Sequence, residues 1–326
     1  MISPVVRLVK DESGVALILT IMVISLIVTL TLEFNSAMRA ELYEAANLKD
    51  GMVLSCITRS GFEYACAVLS EDDPSVDSLR EDWADAGMLS SNSGSMFDDG
   101  RFELGIMDHS GKISINSLVD AGGNFDTRQK DLLRRFFSLE EFGLDSEEVN
   151  NLVDAVKDWI DPDDETTNFG AESSYYRTLE NPYDCKNGPL DSLEELLLVR
   201  GFRREIYYGT TEKPGVSNSL TIHGTAGINI NTADPLVLRA LSIQMDQELA
   251  EEMIAYREDE DNDLGDPQWY RNVPGMSDMD LGSLTRTTST HFEIEVQGLK
   301  DVMKRRLRGA VERKDDKLRV LSRQME

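Results

Sequence analysis

Hydrophobic and polar positions divide this chain into stretches of different period. Residues 15–32 carry no charge, a run long enough to begin spanning a hydrocarbon core as a helix. Apolar residues then recur every three or four positions, at Phe34, Met38, Leu42, Ala45, Leu48, Met52 and Cys56, which is a helical period. No proline falls between Val5 and Asp73. Residues 15–69 therefore predict one helix of about 80 Å, apolar all round at its start and amphipathic beyond. Gly51 and Gly61 weaken it locally.

The pattern then changes. Residues 71–100 are acidic and rich in Ser, Asp and Gly, a connecting region with one short helix expected around 79–86. Phe102, Leu104 and Ile106, then Ile113 and Ile115, alternate with other residues as strands do, with a turn at 108–111. Ile113-Ser-Ile-Asn-Ser117 has a counterpart in Ile228-Asn-Ile-Asn-Thr232. Each leads into two helical stretches, 127–139 and 146–160 in the first case, 235–241 and 247–257 in the second. Each unit later reaches an apolar turn, Leu196-Leu-Leu-Val-Arg-Gly-Phe202 and Val273-Pro-Gly-Met276. The two units read as a degenerate internal repeat of small helical modules, offset by roughly 115 residues. Residues 291–296, 307–311 and 318–321 return to strand alternation, the last two joined by a hairpin turn at Asp315-Asp316-Lys317.

Charge narrows the partners. The formal net charge is -27, although residues 300–326 carry ten Lys/Arg against five Asp/Glu. Nucleic acid needs a basic footprint, and the glycine turn Asn272-Val-Pro-Gly-Met-Ser277 follows the acidic run Glu258-Asp-Glu-Asp-Asn-Asp263. That run would repel phosphate, so no nucleic-acid role is expected. Cys56 and Cys66 lie ten residues apart on the expected helix, about 15 Å along its axis and too far for a bridge. The pairing of Cys185 is left open. His109, His223 and His291 stand in separate segments without nucleophile context, so a structural role is expected for each and no catalytic residue is assigned. Trp83, Trp159 and Trp269 read as core anchors.

The best ligand cluster is Asp158-Trp-Ile-Asp-Pro-Asp-Asp-Glu-Thr-Thr-Asn-Phe-Gly-Ala-Glu172. Oxygen donors alone select a hard cation, calcium rather than zinc. Asp161, Asp163, Glu165 and Glu172 fall at positions 1, 3, 5 and 12 of an EF-hand window, but Thr166 stands where that loop needs glycine. A solvated acidic loop without metal is the other reading. For Asp259–Asp263, solvated surface is the better one.

The charged stretch Lys10-Asp-Glu-Ser-Gly14, followed at once by the apolar run, resembles a type IV prepilin leader. In that family a prepilin peptidase cuts after the glycine on the cytoplasmic side and the helix is retained. The resemblance implies a cut between Gly14 and Val15 and N-methylation of Val15; Arg7 and Lys10 form the flank that stays cytoplasmic. Most prepilins carry glutamate fifth after the cut, where this chain has Leu19. A buried carboxylate needs a partner, and a subunit without one offers no acid to a neighbour's terminal amine. That suits a filament end. The K-type minor pseudopilins of type II secretion lack this glutamate, and "SGVALILTIMVISLIVTL" is similar to their amino terminus.

This resemblance implies an α+β, type IV pilin-like fold, a long N-terminal helix packed on an antiparallel sheet, with a large inserted helical domain of two SAM-like modules. The expected divisions are a leader at 1–14, the transmembrane and filament helix at 15–70, and pilin-like strands at 71–117. An inserted domain follows at 118–285, its modules at about 118–222 and 226–285, and the last strands at 286–326. The acidic segment is similar to a calcium-binding stretch of the family, which implies Asp161, Asp163 and Glu172 as ligands, together with Asp158 and Asp191. Implied partners are I-type and J-type minor pseudopilins, the prepilin peptidase, the inner-membrane secretion platform, and membrane lipid before assembly. The implied location is the bacterial inner membrane, single-pass, with the bulk of the chain in the periplasm. The implied role is to initiate and cap the filament at its tip. The alternatives are a minor pilin of a related type IV pilus and, from another class, a membrane-anchored periplasmic hydrolase whose acidic loop holds a catalytic metal.

Overall fold

The structure is a computed structural model that describes residues 13–315 and 317–326. Most of the expected leader, with Arg7 and Lys10, lies outside the described residues. The chain divides into two compact units, residues 1–56 and 57–326.

In the first unit the described residues belong to α1 (Ser13–Glu71). Its apolar stretch is exposed along its length and is long and apolar enough to cross a membrane. Hydroxyls at Thr20, Thr29 and Thr31 donate to carbonyls one turn back, which removes the cost of carrying them through an apolar medium.

The second unit begins with the last residues of α1. They lie on a four-stranded antiparallel sheet built from β1 (Arg101–Asp108), β6 (His291–Lys300), β7 (Met303–Lys314) and β8 (Lys317–Met325), in that spatial order. The alternation in β6 is strict, one residue of each pair buried. Phe102 and Leu104 of β1, Phe292, Ile294 and Val296 of β6 and Val311 of β7 form a core with Phe62. Gly61, read from sequence as a weak point, is where helix and sheet come closest. A Cβ there would stand 2.7 Å from Val296 Cγ1 and 3.0 Å from the Phe102 ring. The helical cost of glycine is exchanged for a closer approach.

Between β1 and β6, neighbours in the sheet, the chain inserts a helical region with its own continuous core. Here β2 (Ile113–Ser114) pairs in parallel with β3 (Leu220–Thr221), and β4 (Ile228–Asn229) with β5 (Thr285–Arg286). So the alternation at 113–115 makes a two-residue strand in a separate pair, not an extension of the main sheet. The helices before and within this region are α2 (Ala86–Ser91), α3 (Thr127–Phe137), α4 (Ser146–Ile160), α5 (Ser173–Tyr176), α6 (Arg204–Tyr208), α7 (Pro235–Ala240) and α8 (Gln247–Glu258). Within the range 79–86, where a short helix is expected, a 3-10 turn forms at Asp82–Ala84, and Asp85 caps a further helix that starts at Ala86 by accepting from Met88 N.

Asn116 and Asn231 hold corresponding places in the two similar stretches 113–117 and 228–232. Asn116 donates to the carbonyls of Leu190 and Ile222. Asn231 donates to those of Asp77 and Leu264 and accepts from Trp269 Nε1 at 2.7 Å. Each asparagine ties its stretch to backbone distant in sequence.

Candidate cation site

Helix α4 positions the site. Asp145 and Glu148 cap its start reciprocally, and its apolar face is buried in the core of the helical region. Asp158 stands near its end and Asp161 is its C-terminal capping residue. The loop that follows folds back over α4. Thr167 N donates to both oxygens of Asp158 at 3.1 Å, and Phe169 N approaches Asp154 Oδ2 at 3.4 Å. Gly170 is required by this return, because a Cβ on it would overlap the Asp158 carboxylate. Arg200 holds the Gly170 carbonyl from outside at 3.0 Å. The loop ends at Glu172, the N-terminal cap position of α5.

Asp158, Asp161 and Glu172 meet inside this wrap, each offering one oxygen within 4.8 Å of the others. They are 0%, 0% and 1% exposed. Asp161 Oδ1 and both oxygens of Glu172 have no hydrogen-bond partner. Lys157 pairs with Asp161 and stands 3.9 Å from Asp158, one positive charge against three carboxyls. The Cys185 thiol lies beside them and donates to the Asp158 carbonyl at 3.3 Å. Burial, the largest cause in each case, raises all three carboxyls, Asp158 to about 6 and Glu172 to about 7. Buried, oxygen-only and with three orphaned oxygens, the set fits a hard divalent cation.

Two of the five expected ligands stand apart. Asp163 is exposed, and its Oδ1 accepts from Glu165 N at 2.8 Å in a local turn. Asp191 has its side chain 89% exposed, drawn 2.7 Å from Lys186. The EF-hand spacing thus has no counterpart in the geometry, because residues 162–166, Asp163 and Glu165 among them, are all exposed.

The other acidic stretches are organised by arginine. Arg80 donates to the carbonyls of Tyr256, Arg257, Asp259 and Asn262, and so fixes the loop after α8. Asp72 and Asp77 pair with Arg313, Asp72 at 2.9 Å. The three cysteines are free.

Comparison with known proteins gives one answer. Two family models described as type II secretion system protein K match residues 111–210 and 228–292, together about half of the chain. The chain is 27% identical over 210 residues to type II secretion system protein K of Aeromonas hydrophila, a match covering 61% of each chain. It is 22% identical over 229 residues to the Klebsiella pneumoniae protein of the same name, covering 69% of this chain and 67% of that one. A chain in the solved GspK-GspI-GspJ complex from the type 2 secretion system of enterotoxigenic Escherichia coli shares the fold. Its TM-score is 0.69 at 16% identity, over 87% of this chain and 99% of that one.

Proposed function

This chain belongs to the type II secretion system protein K family, and from that premise we propose that it is a minor pseudopilin, a structural subunit at the tip of the secretion pseudopilus. The observation that carries the reading is the arrangement of parts. The chain carries an exposed apolar helical stretch and an antiparallel sheet, and a helical domain is inserted between two adjacent strands of that sheet. In this reading the helix anchors the chain in the inner membrane before assembly and lies in the filament core afterwards. The rest of the chain sits in the periplasm.

The neighbour of like fold was solved with GspI and GspJ, and I- and J-type minor pseudopilins are the partners we propose here. Leu19 supports a position at the end of the filament, because it supplies no carboxylate for another subunit's terminal amine. Calcium is the proposed cation, held by Asp158, Asp161 and Glu172; when bound it supplies charge neutralisation. The chain's own part is to hold three carboxyls apart from water and to pin loop 161–172 on α4. Burial of those oxygens leaves no open position for a substrate, which favours a structural metal over the catalytic metal of a hydrolase.

Processing tests the reading at the other end of the chain. Co-expressed with a prepilin peptidase, the chain should be recovered with Val15 as first residue and its amine methylated, as intact-mass and N-terminal peptide measurements would show. Gly14→Leu should leave it uncut. Recovery of a chain still carrying residues 1–14 in the presence of active peptidase would count against the pseudopilin assignment.

A further inference from the structure

All three histidines of the chain come together in one stack. His109 follows β1, His223 follows β3, and His291 opens β6. The ring centroids of His109 and His223 are 5.8 Å apart, and those of His223 and His291 6.0 Å, with planes inclined by 29° and 9°. Backbone and hydroxyl bonds hold the file. His109 N donates to the His291 carbonyl at 2.9 Å. Thr221 Oγ1 lies 3.0 Å from His109 Nδ1 and accepts from His223 N at 3.1 Å. Thr290 Oγ1 lies 2.9 Å from His291 Nδ1. His291 belongs to the sheet and His109 directly follows its strand β1, while His223 belongs to the segment returning from the first half of the inserted domain. The stack is therefore a seam between the two parts.

Metal binding does not fit this geometry. A shared ion needs ring nitrogens converging at about 2 Å from one point, and parallel rings some 6 Å apart do not offer that. Proton uptake does fit. A charge on any ring would sit beside another ring that is also able to charge, in a half-buried place. The charged groups around the file are mixed. Asp108 on β1, Lys112 in the following turn, Asp234 before α7, Arg286 on β5, Glu293 on β6 and Arg308 and Glu312 on β7 all face it or its immediate partners. Glu293 Oε2 comes within 3.7 Å of His109 Nε2.

We propose that this stack is a proton-operated latch, closed when the three rings are neutral and opened by mild acidification, which frees residues 220–224 from the ends of β1 and β6. The sign follows from the surroundings. Burial first, then neighbouring positive groups, pushes His109 well below the ordinary histidine value, and burial lowers His223 and His291 as well. A histidine lowered in the folded state favours folding above its unfolded value of about 6.5. That contribution is lost as pH falls through the folded value. The latch stands independently of the secretion role, since it uses residues outside the cation site and outside the membrane helix.

The test uses the full-length chain in detergent micelles with ¹³C-labelled histidine. Each ring should titrate below about 6.5. Hydrogen exchange at residues 220–224 should accelerate over the same pH range, by about tenfold per pH unit for each proton taken up, after correction for intrinsic exchange. Central amides of β6 should stay protected. His223→Phe keeps a flat ring in the file and removes its proton, so the acceleration should shrink while protection near neutral pH is kept. Rings that titrate together near the ordinary value would overturn the latch. So would unchanged exchange at residues 220–224 on acidification, or full acceleration in His223→Phe.

Discussion

Chelation of divalent cations at about pH 8 should lower the melting temperature of this chain by roughly 5–10 °C, and calcium should restore it. The size follows from linkage, because a ligand at about a hundred times its dissociation constant stabilises by roughly 2.7 kcal/mol. A chain of this length shifts by about 2–4 °C per kcal/mol. The cation-free site carries three buried carboxyls with one nearby lysine. Burial holds Asp158 at about 6 and Glu172 at about 7, above their ordinary values. A carboxyl raised in this way favours folding below its unfolded value, and the contribution is lost as pH rises through the folded value. The stripped chain is thus expected to gain stability from pH 8 down towards pH 5, and the cation effect to fade over the same interval. Glu172→Gln separates the two terms. It should raise the melting temperature of the stripped chain while reducing the response to calcium. A melting temperature indifferent to chelator at pH 8 would remove the cation from the account.

Arg313→Ala should cost about 3–5 kcal/mol, measured by urea unfolding near pH 8. Arg313 is buried on β7, stacks 5.0 Å from the Phe292 ring and pairs with Asp77 and Asp72. Asp77 is 0% exposed, and its second oxygen accepts from Ser289 N at 2.6 Å. Removing the guanidinium leaves that carboxylate buried without its counter-charge. Burial already raises Asp77 to about 6 against the pull of Arg313. Without the arginine it should take up a proton more readily still, so the penalty should shrink as pH falls below 6. Arg313→Met combined with Asp77→Leu should recover much of the loss, since neither side chain then leaves a charge behind. A single-variant loss independent of pH would show that packing on Phe292, not the ion pair, is what Arg313 provides.

The parts of this fold legible in sequence were those governed by local period. Helix α4 spans Ser146–Ile160, as its spacing indicated, and α1 spans Ser13–Glu71 against an expected 15–69. The alternation of β6 placed its buried face correctly. Pairings that jump the insertion were not legible. Nothing local in Phe102 or Ile294 says that their strands are neighbours, and the same alternation at Ile113 and Ile115 serves a different pair. The cluster of buried carboxyls was half legible. Composition marked the segment, but ligand spacing cannot tell which loop carboxyls turn inward. Asp163 accepts from the backbone of Glu165, and Asp191 pairs with a lysine. Gly170 held an unused signal, a glycine two residues before Glu172 where the chain must pass against Asp158. The histidine stack had no sequence signal, because its members come from three distant segments that only the tertiary fold aligns.

The central claim, that this chain is the K-type subunit of a pseudopilus tip, is tested most directly by assembly. The processed full-length chain, in detergent with calcium present, would be mixed with the I- and J-type minor pseudopilins of the same cell and its mass followed by light scattering during gel filtration. The account predicts one complex containing a single copy of each subunit, weakened when calcium is chelated. Three species eluting separately at concentrations where each is folded would contradict it.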